Sequence, residues 1–545
     1  MFTSQGPITS AVASRSNAAT LDSRALTREL GRARSLLELL SLQERHGDRF
    51  NSFNFSAFWN KFKNLHCGEL GGLQCRLASV CEQTARMLPQ LNARAVATIA
   101  HVFAKSKLFG NGPYQGVWAA LDEAARCKLG GFNPQDLSNT VWAFAKAGHA
   151  APALFDLISA AVVRRGLGGS KEQNLSNTAW AFATARHEAP ELFEAISAEA
   201  ARRGLGGFKE QALSNTAWAF ATAGHEAPEL FKAISAESAH RGLGGFNEQE
   251  LSNTAWSFAT AGHASPELFN AISAELVRRR LDGFNPQHLS NTAWAFATAG
   301  HASPELFHAI SAEAVHRRMR GFNPQQLSTT AWAFATAGLA SLELFNAISA
   351  EAVRRRLGGF TELDLSTTAW AFAVVDPPSA DELFGTPFFA TRCAHLEASF
   401  SLQELSQLHQ WSLWRKERGA LWPELSEPLR QACLDAFVEG GARSSQLQSD
   451  VVREICARGF DVEEEYRCKA SGYSVDALVN LRGGDRIAVE VDGPSHFLGR
   501  SHLPNGATLL KHRQLRYFGW RLESVPYWEW ELSQELHWLP LPRAL

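Results

Sequence analysis

The sequence predicts an all-α solenoid of helix-hairpin repeats followed by a small C-terminal α/β domain. Three observations carry this. Seven tryptophans, Trp142, Trp180, Trp218, Trp256, Trp294, Trp332 and Trp370, recur at a fixed spacing of 38 residues. Each sits in nearly the same string, such as LSNTAWSFATAGH over Leu251–His263, and such a period marks stacked supersecondary units. After about residue 440 the repeat stops, and short runs of alternating apolar residues take over.

Taken in order, residues 1–24 are expected to be a transit peptide or an ordinary polar tail. The first 21 residues hold no acid, a single Arg and many Ser, Thr and Ala. Residues 25–131 read as degenerate repeats forming an N-terminal cap. Asn92–Lys105 matches the first helix of the repeat, with His101 in the Trp place, and Phe53–Leu65 resembles an older copy. Residues 132–375 hold the seven close repeats. Residues 376–440 hold another degenerate copy, at Phe400–Leu413, as a second cap.

Phe284–Gly321 illustrates one unit. Asn285 followed by Pro286 is an N-cap with proline at the first helical position. Leu289, Ala293, Phe296 and Ala297 fall on one helical face, and Gly300 is a C-terminal stop. Ser303-Pro304 opens a second helix whose apolar face is Phe307, Ile310 and Ala314. One hairpin cannot bury both of its faces, so neighbours must stack. The alanines in Ala-Trp-Ala-Phe-Ala allow close approach, and the tryptophans are expected to fill the interior.

Three rows of side chains repeat with the units. Just before the fixed Leu stand Asp136, Asn174, Ala212, Glu250, His288, Gln326 and Asp364. Two positions after it stand Asn139, Asn177, Asn215, Asn253, Asn291, Thr329 and Thr367. A variable polar position beside a near-fixed amide suits reading one base per repeat. It equally suits solvated positions near a helix start. At the end of the second helix stand Arg165, Arg203, Arg241, Arg279, Arg317 and Arg355. They suit a basic stripe along a phosphate backbone, or cations placed to complement the helix dipole.

Composition narrows the partner. Formal net charge is −2, and residues 131–370 hold 19 Lys and Arg against 22 Asp and Glu, so no broad positive field attracts polyanions. The eight cysteines form no CxxC pair, which argues against a zinc site or disulfide framework. No apolar run reaches 18 residues, so a membrane span is not expected.

The 38-residue length and the FNPQ-x-LSNTAWAFATAG string resemble octotricopeptide repeats, most clearly over residues 132–375. That resemblance implies sequence-specific binding of single-stranded RNA in an organelle, the mitochondrial matrix or the chloroplast stroma.

Beyond residue 440 the sequence predicts a helix at Ser444–Gly459 and strands at Tyr473–Asn480 and Arg486–Asp492. A helix at Ala507–Phe518, a strand at Arg521–Pro526 and a helix at Trp528–Trp538 follow. The strings IAVEVDGPSHF and LLKHRQLRYFGWRLESVPYWEW resemble the RAP domain found in organelle RNA-processing proteins, including the FAST-kinase-like group. Residues 441–545 are assigned to it. The resemblance implies RNA, and RNA-processing proteins, as partners in processing, transcript stability or rRNA maturation.

Glu490 and Asp492 share one face of a strand, and Asp476 can lie beside them. Three converging carboxylates suit Mg²⁺, with His496 and Lys511 as proton donor or charge stabiliser. The layout resembles restriction-endonuclease-like folds, but Asp492 stands where the commoner form of those folds carries lysine. A Mg²⁺-dependent endoribonuclease and an inactive RNA-binding relative are both open readings, and a protein-binding scaffold is a third.

Overall fold

The computed structural model describes residues 22–65, 71–108, 113–263, 265–301, 303–440, 445–481, 484–499, 501–533 and 536–539. All but the last three residues of the expected transit segment lie outside them. The chain divides into two compact units, 1–199 and 200–545.

In the first unit, the helix Ser52–Leu65 packs on Ala93–Lys105, and that helix packs on Pro134–Ala147, as expected of degenerate and regular copies of one element. The degenerate copy uses its aromatics differently. Trp59 is fully buried, donates Nε1–H to Thr84 Oγ1 at 3.2 Å and lies 4.5 Å from Phe103.

In the second unit, the first helices of successive repeats are Glu210–Ala223, Glu248–Thr260, Pro286–Thr298, Pro324–Thr336 and Glu362–Val375. These A helices stack on one another in series, ending on Leu402–Glu417. The second, or B, helices Pro228–Arg241, Pro266–Arg278, Pro304–His316 and Leu342–Arg354 form a parallel layer. The core between the layers is a phenylalanine ladder. The B-helix Phe of one repeat meets the A-helix Phe of the next edge-on, as in Phe269–Phe296 at 4.9 Å and Phe307–Phe334 at 4.9 Å. The fixed serine of the A helix binds the next repeat: Ser214 donates to Glu250 O at 3.2 Å and Ser252 to His288 O at 3.3 Å. The predicted stop at Gly300 adopts φ 62°, a left-handed turn that glycine takes without steric cost.

The C-terminal domain runs helix Gln446–Ala457, β1 (Asp461–Arg467), β2 (Ser474–Asn480), β3 (Arg486–Asp492), helix Gly506–Tyr517, β4 (Arg521–Pro526) and helix Tyr527–Ser533. The sheet order is β1-β2-β3-β4, with β3 and β4 parallel and the other pairs antiparallel. The sequence reading missed β1. Its string DVEEEYR carries almost no apolar alternation because it is an edge strand, and charge on an edge discourages further pairing.

The two faces of β3 serve two cores. Ile487, Val489 and Val491 pack with Val451 and Ile455, while Ala488 packs with Leu515, Leu522 and Leu413 of the array. The helix Gly506–Tyr517 bolts the domain to the last repeats. Arg513 donates to Val374 O at 2.9 Å, to Ala373 O and to Glu417 Oε1 at 2.8 Å. Gly506 makes this approach possible, because a Cβ there would lie 2.2 Å from Ala335 O.

Candidate nucleic-acid interface and carboxylate cluster

An A helix places residues three, four and seven apart on one face. Gln249, Asn253, Trp256 and Thr260 therefore share a face, and the same face recurs as Gln287, Asn291, Trp294 and Thr298. The tryptophans at the first six repeat positions, Trp142 through Trp332, are only half-buried; Trp370 alone is buried. The expectation that they fill the interior is corrected: the phenylalanine two residues on fills it. Neighbouring indoles instead form a column. Trp218 and Trp256 lie 6.5 Å apart, and Trp256 and Trp294 6.3 Å apart, with planes tilted by 32° and 31°. In the first unit Trp142 and Trp180 lie 6.2 Å apart, and His101 lies 5.3 Å from Trp142.

Beside each indole sits the amide one turn earlier. Asn139, Asn177, Asn215, Asn253, Asn291 and Thr329 are half-buried, and Thr367 is buried. The side chains of Asn215, Asn253 and Asn291 form no hydrogen bond among the described residues. A half-buried amide with no partner retains both donors and its acceptor for a ligand.

The variable row before the fixed Leu behaves differently. Asp136, Glu250, His288, Gln326 and Asp364 turn back to the backbone N–H of the N-cap residue and form capping boxes with Asn133, Asn247, Asn285, Asn323 and Thr361. Asn247 N donates to Glu250 Oε2 at 2.8 Å, and Asn323 N to Gln326 Oε1 at 2.9 Å. Ala212 is buried and has no polar side-chain group, and Asn174 is half-buried in a helix without a side-chain cap. In five of the seven repeats the side chain of this row, expected to read a base, closes a helix cap. Its variability follows, since any acceptor of suitable reach can close the box.

The arginine row is also engaged internally. Arg241 donates to Phe208 O at 2.7 Å, Arg279 to Phe246 O at 2.7 Å and Arg317 to Phe284 O at 2.6 Å, each a carbonyl of the preceding repeat. Arg165 does the same to Phe132 O at 2.7 Å. Carboxylates one turn earlier hold the same guanidinium groups: Glu275 for Arg279, Glu313 for Arg317 and Glu351 for Arg355. Arg203 is half-buried. In place of the expected phosphate stripe, these arginines staple one repeat to the one before it.

In the C-terminal domain, Glu490 and Asp492 are each 1% exposed, under the helix Gly506–Tyr517. Lys511 Nζ lies 2.6 Å from Glu490 Oε2. Burial works against the Lys511 ammonium, but Glu490 and Asp476 outweigh it and hold its pKa above the usual lysine value. His496 Nδ1 lies 2.8 Å from Asp492 Oδ1, and Ser524 donates to Asp492 Oδ2. Burial alone would raise Asp492; the His496 and Ser524 contacts overcome it and hold the carboxyl below its usual range. The Asp492 contact raises His496 in turn. Burial pushes the neighbouring His512 down to about 4.

The charge of Asp476 acts on Lys511 and Glu490, but its carboxylate is not among the gathered donor atoms. Its Oδ2 accepts from Val491 N at 2.6 Å and serves the sheet. The residues whose ligand atoms gather within 4.8 Å are Glu490, Asp492 and His512. His512 follows the singled-out Lys511 in sequence, yet spacing alone does not tell which neighbour on a helix meets the strand. This donor set does not fit Mg²⁺, which takes a near-octahedral shell of oxygens. Two carboxylates and a neutral imidazole converge, and an ammonium already neutralises one of the carboxylates.

A stack of helical hairpins with an open indole–amide column, closed by a small mixed-sheet domain, defines a helical-repeat protein with a C-terminal globular module. Residues 489–536 match the RAP domain family. The chain is thus a helical repeat array that ends in a RAP domain. Residues 132–383 match the family of the RNA-editing substrate-binding complex 6 protein. A relative from Oryza sativa subsp. japonica, a chloroplastic RAP domain-containing protein, is 38% identical over 88 residues. That match covers 16% of this chain and 13% of the relative. No described helix is long and apolar enough to cross a membrane.

Proposed function

We infer that this chain is an organelle RNA-binding protein whose repeat array holds single-stranded RNA along its A helices. The observation that carries this is the column of half-exposed indoles with unpartnered asparagine amides one turn away. Every base has a π-face, so an aromatic floor accepts any base, and an amide beside it can bond a base edge. The family and relative named above, one a protein of the RNA-editing substrate-binding complex and the other chloroplastic, support RNA as ligand and an organelle as the place. RNA processing, transcript stability and rRNA maturation are the outcomes this reading serves, with RNA-processing proteins as partners.

The repeat arginines Arg241, Arg279 and Arg317 are held by backbone carbonyls and glutamates of the array, so binding relies on stacking and amide contacts more than on counterion release. Affinity for a labelled random single-stranded RNA is expected to fall only shallowly between low and physiological salt, measured by fluorescence anisotropy. A steep dependence would transfer the role to a basic surface elsewhere. Crosslinking in cells followed by sequencing of the attached RNA names the transcript and the organelle. The RAP domain is read as a holding module because Lys511 pairs with Glu490, and His496 and Ser524 with Asp492, while Glu490 Oε1 and His512 Nε2 form no hydrogen bond among the described residues. A Mg²⁺-dependent endoribonuclease would instead cut RNA and lose that activity in Asp492→Ala.

A further inference from the structure

Where the array meets the RAP domain there is a cavity of about 600 Å³, within the range that holds small organic ligands. Trp332 and Trp370, the last two tryptophans of the 38-residue series, form one wall, one and two repeats beyond Trp294, the last indole of the stacked column. Across from them the RAP domain contributes Arg467 and Lys511. No Asp or Glu lines the cavity among the described residues, and Arg467 is its cation not paired with a carboxylate there, since Lys511 is held by Glu490.

Two polar atoms on its walls lack partners. Thr336 Oγ1 and Gln407 Oε1 are both shielded from solvent and form no hydrogen bond among the described residues. A buried polar atom left unpaired costs free energy that a ligand recovers by bonding it. The remaining walls are fixed in advance. Gln410 Nε2 donates to Tyr473 OH at 3.0 Å, Tyr473 OH donates to Gln514 Oε1 at 2.8 Å, and Gln514 Nε2 donates to Gln410 O at 2.9 Å. This closed ring ties the array to the RAP domain at the cavity floor.

We propose that this cavity receives one nucleotide of single-stranded RNA, the residue at which the strand leaves the indole column. The base lies against Trp332 or Trp370 and bonds Gln407 and Thr336, and its phosphate meets Arg467. This rests on the reading of the column as the RNA track. It gives the RAP domain a specific task, clamping the strand at the array's end.

The test uses the full chain and a thiouridine-substituted random single-stranded RNA, photocrosslinked, digested and mapped by mass spectrometry. Crosslinks to peptides from both 402–417 and 467–474, together with A-helix peptides bearing Trp218, Trp256 and Trp294, are expected. Thr336→Val, which keeps shape and removes the hydroxyl, and Gln407→Met are each expected to weaken binding about tenfold with unchanged melting. Crosslinks confined to the A helices, with both variants at wild-type affinity, overturn the cavity and leave the track. Crosslinks confined to the cavity remove the track and keep the cavity. Crosslinks at neither remove both.

Discussion

The A-helix face of the repeats and the helix-covered face of β3 both set polar side chains among large apolar ones, and they leave those groups in opposite states. The Asn215, Asn253 and Asn291 side chains are half-buried beside indoles and form no hydrogen bond among the described residues. Glu490 and Asp492 are buried, and Lys511, His496 and Ser524 lie against them. Unspent polar groups beside open aromatic surface are what a ligand needs. Groups that neutralise one another hold a fold in place. The difference assigns recognition to the array and to the junction with the RAP domain, and assigns the carboxylate cluster to the domain's own integrity.

The largest effect expected from this contrast is on stability. Lys511→Met leaves Glu490 buried without its cation, and breaking one partner of a buried pair costs about 3–5 kcal/mol. Denaturant unfolding of the full chain should show an early transition that Lys511→Met combined with Glu490→Gln largely restores. If the single variant melts as wild type, the cluster is not structural, and a ligand-binding role for it regains force.

Next in size is the column. Base stacking on an aromatic contributes about 1–3 kcal/mol per base, so Trp256→Ala with Trp294→Ala should weaken RNA binding by about a hundredfold. Helical content by circular dichroism should change little, because both rings are half-exposed and Phe258 and Phe296 carry the core. Affinity retained in the double variant would erase the contrast between the two regions.

A pH effect separates them further. Burial holds His512 at about 4 against an unfolded value near 6.5, so its neutral form is favoured in the fold. The folded pKa lies below the unfolded one. The stabilisation is therefore full above pH 6.5 and is lost as pH falls through about 4. By pH 5 the loss is about 2 kcal/mol. The difference in melting between pH 7 and pH 5 should shrink in His512→Asn, whereas a pH dependence unaltered by that change would place the titration elsewhere.

Much of this was legible in the sequence, unevenly and for physical reasons. The hairpins were, because a 38-residue period, N-caps and glycine stops are local signals. The RAP strands β2, β3 and β4 were, through apolar alternation, whereas β1 was hidden by its charges. The exposure of Trp294 had a signal: at helical spacing its neighbours are Gln287, Asn291 and Thr298, a polar face. A tryptophan is by itself an apolar signal, and that signal competes with the polarity of the face. The partners of Arg241, Arg279 and Arg317 had none, because backbone carbonyls leave no mark in a sequence. His512 and the junction cavity required the tertiary arrangement, since they assemble from segments far apart in the chain.

The smallest effect tests two adjacent rows on one helix. Glu250 closes a capping box with Asn247, while the Asn253 side chain, three residues on, forms no hydrogen bond among the described residues. Glu250→Ala should cost about 1 kcal/mol of stability, the usual scale for lost capping. It should leave the preference among RNA sequences unchanged, measured by selection from a random pool. Asn253→Ala should do the reverse, altering preference at one position of the selected motif with a stability change within about 0.5 kcal/mol, as for a side chain without partners. An exchange of these outcomes would return base reading to the capping row, and the asparagine amides would become ordinary hydrated groups.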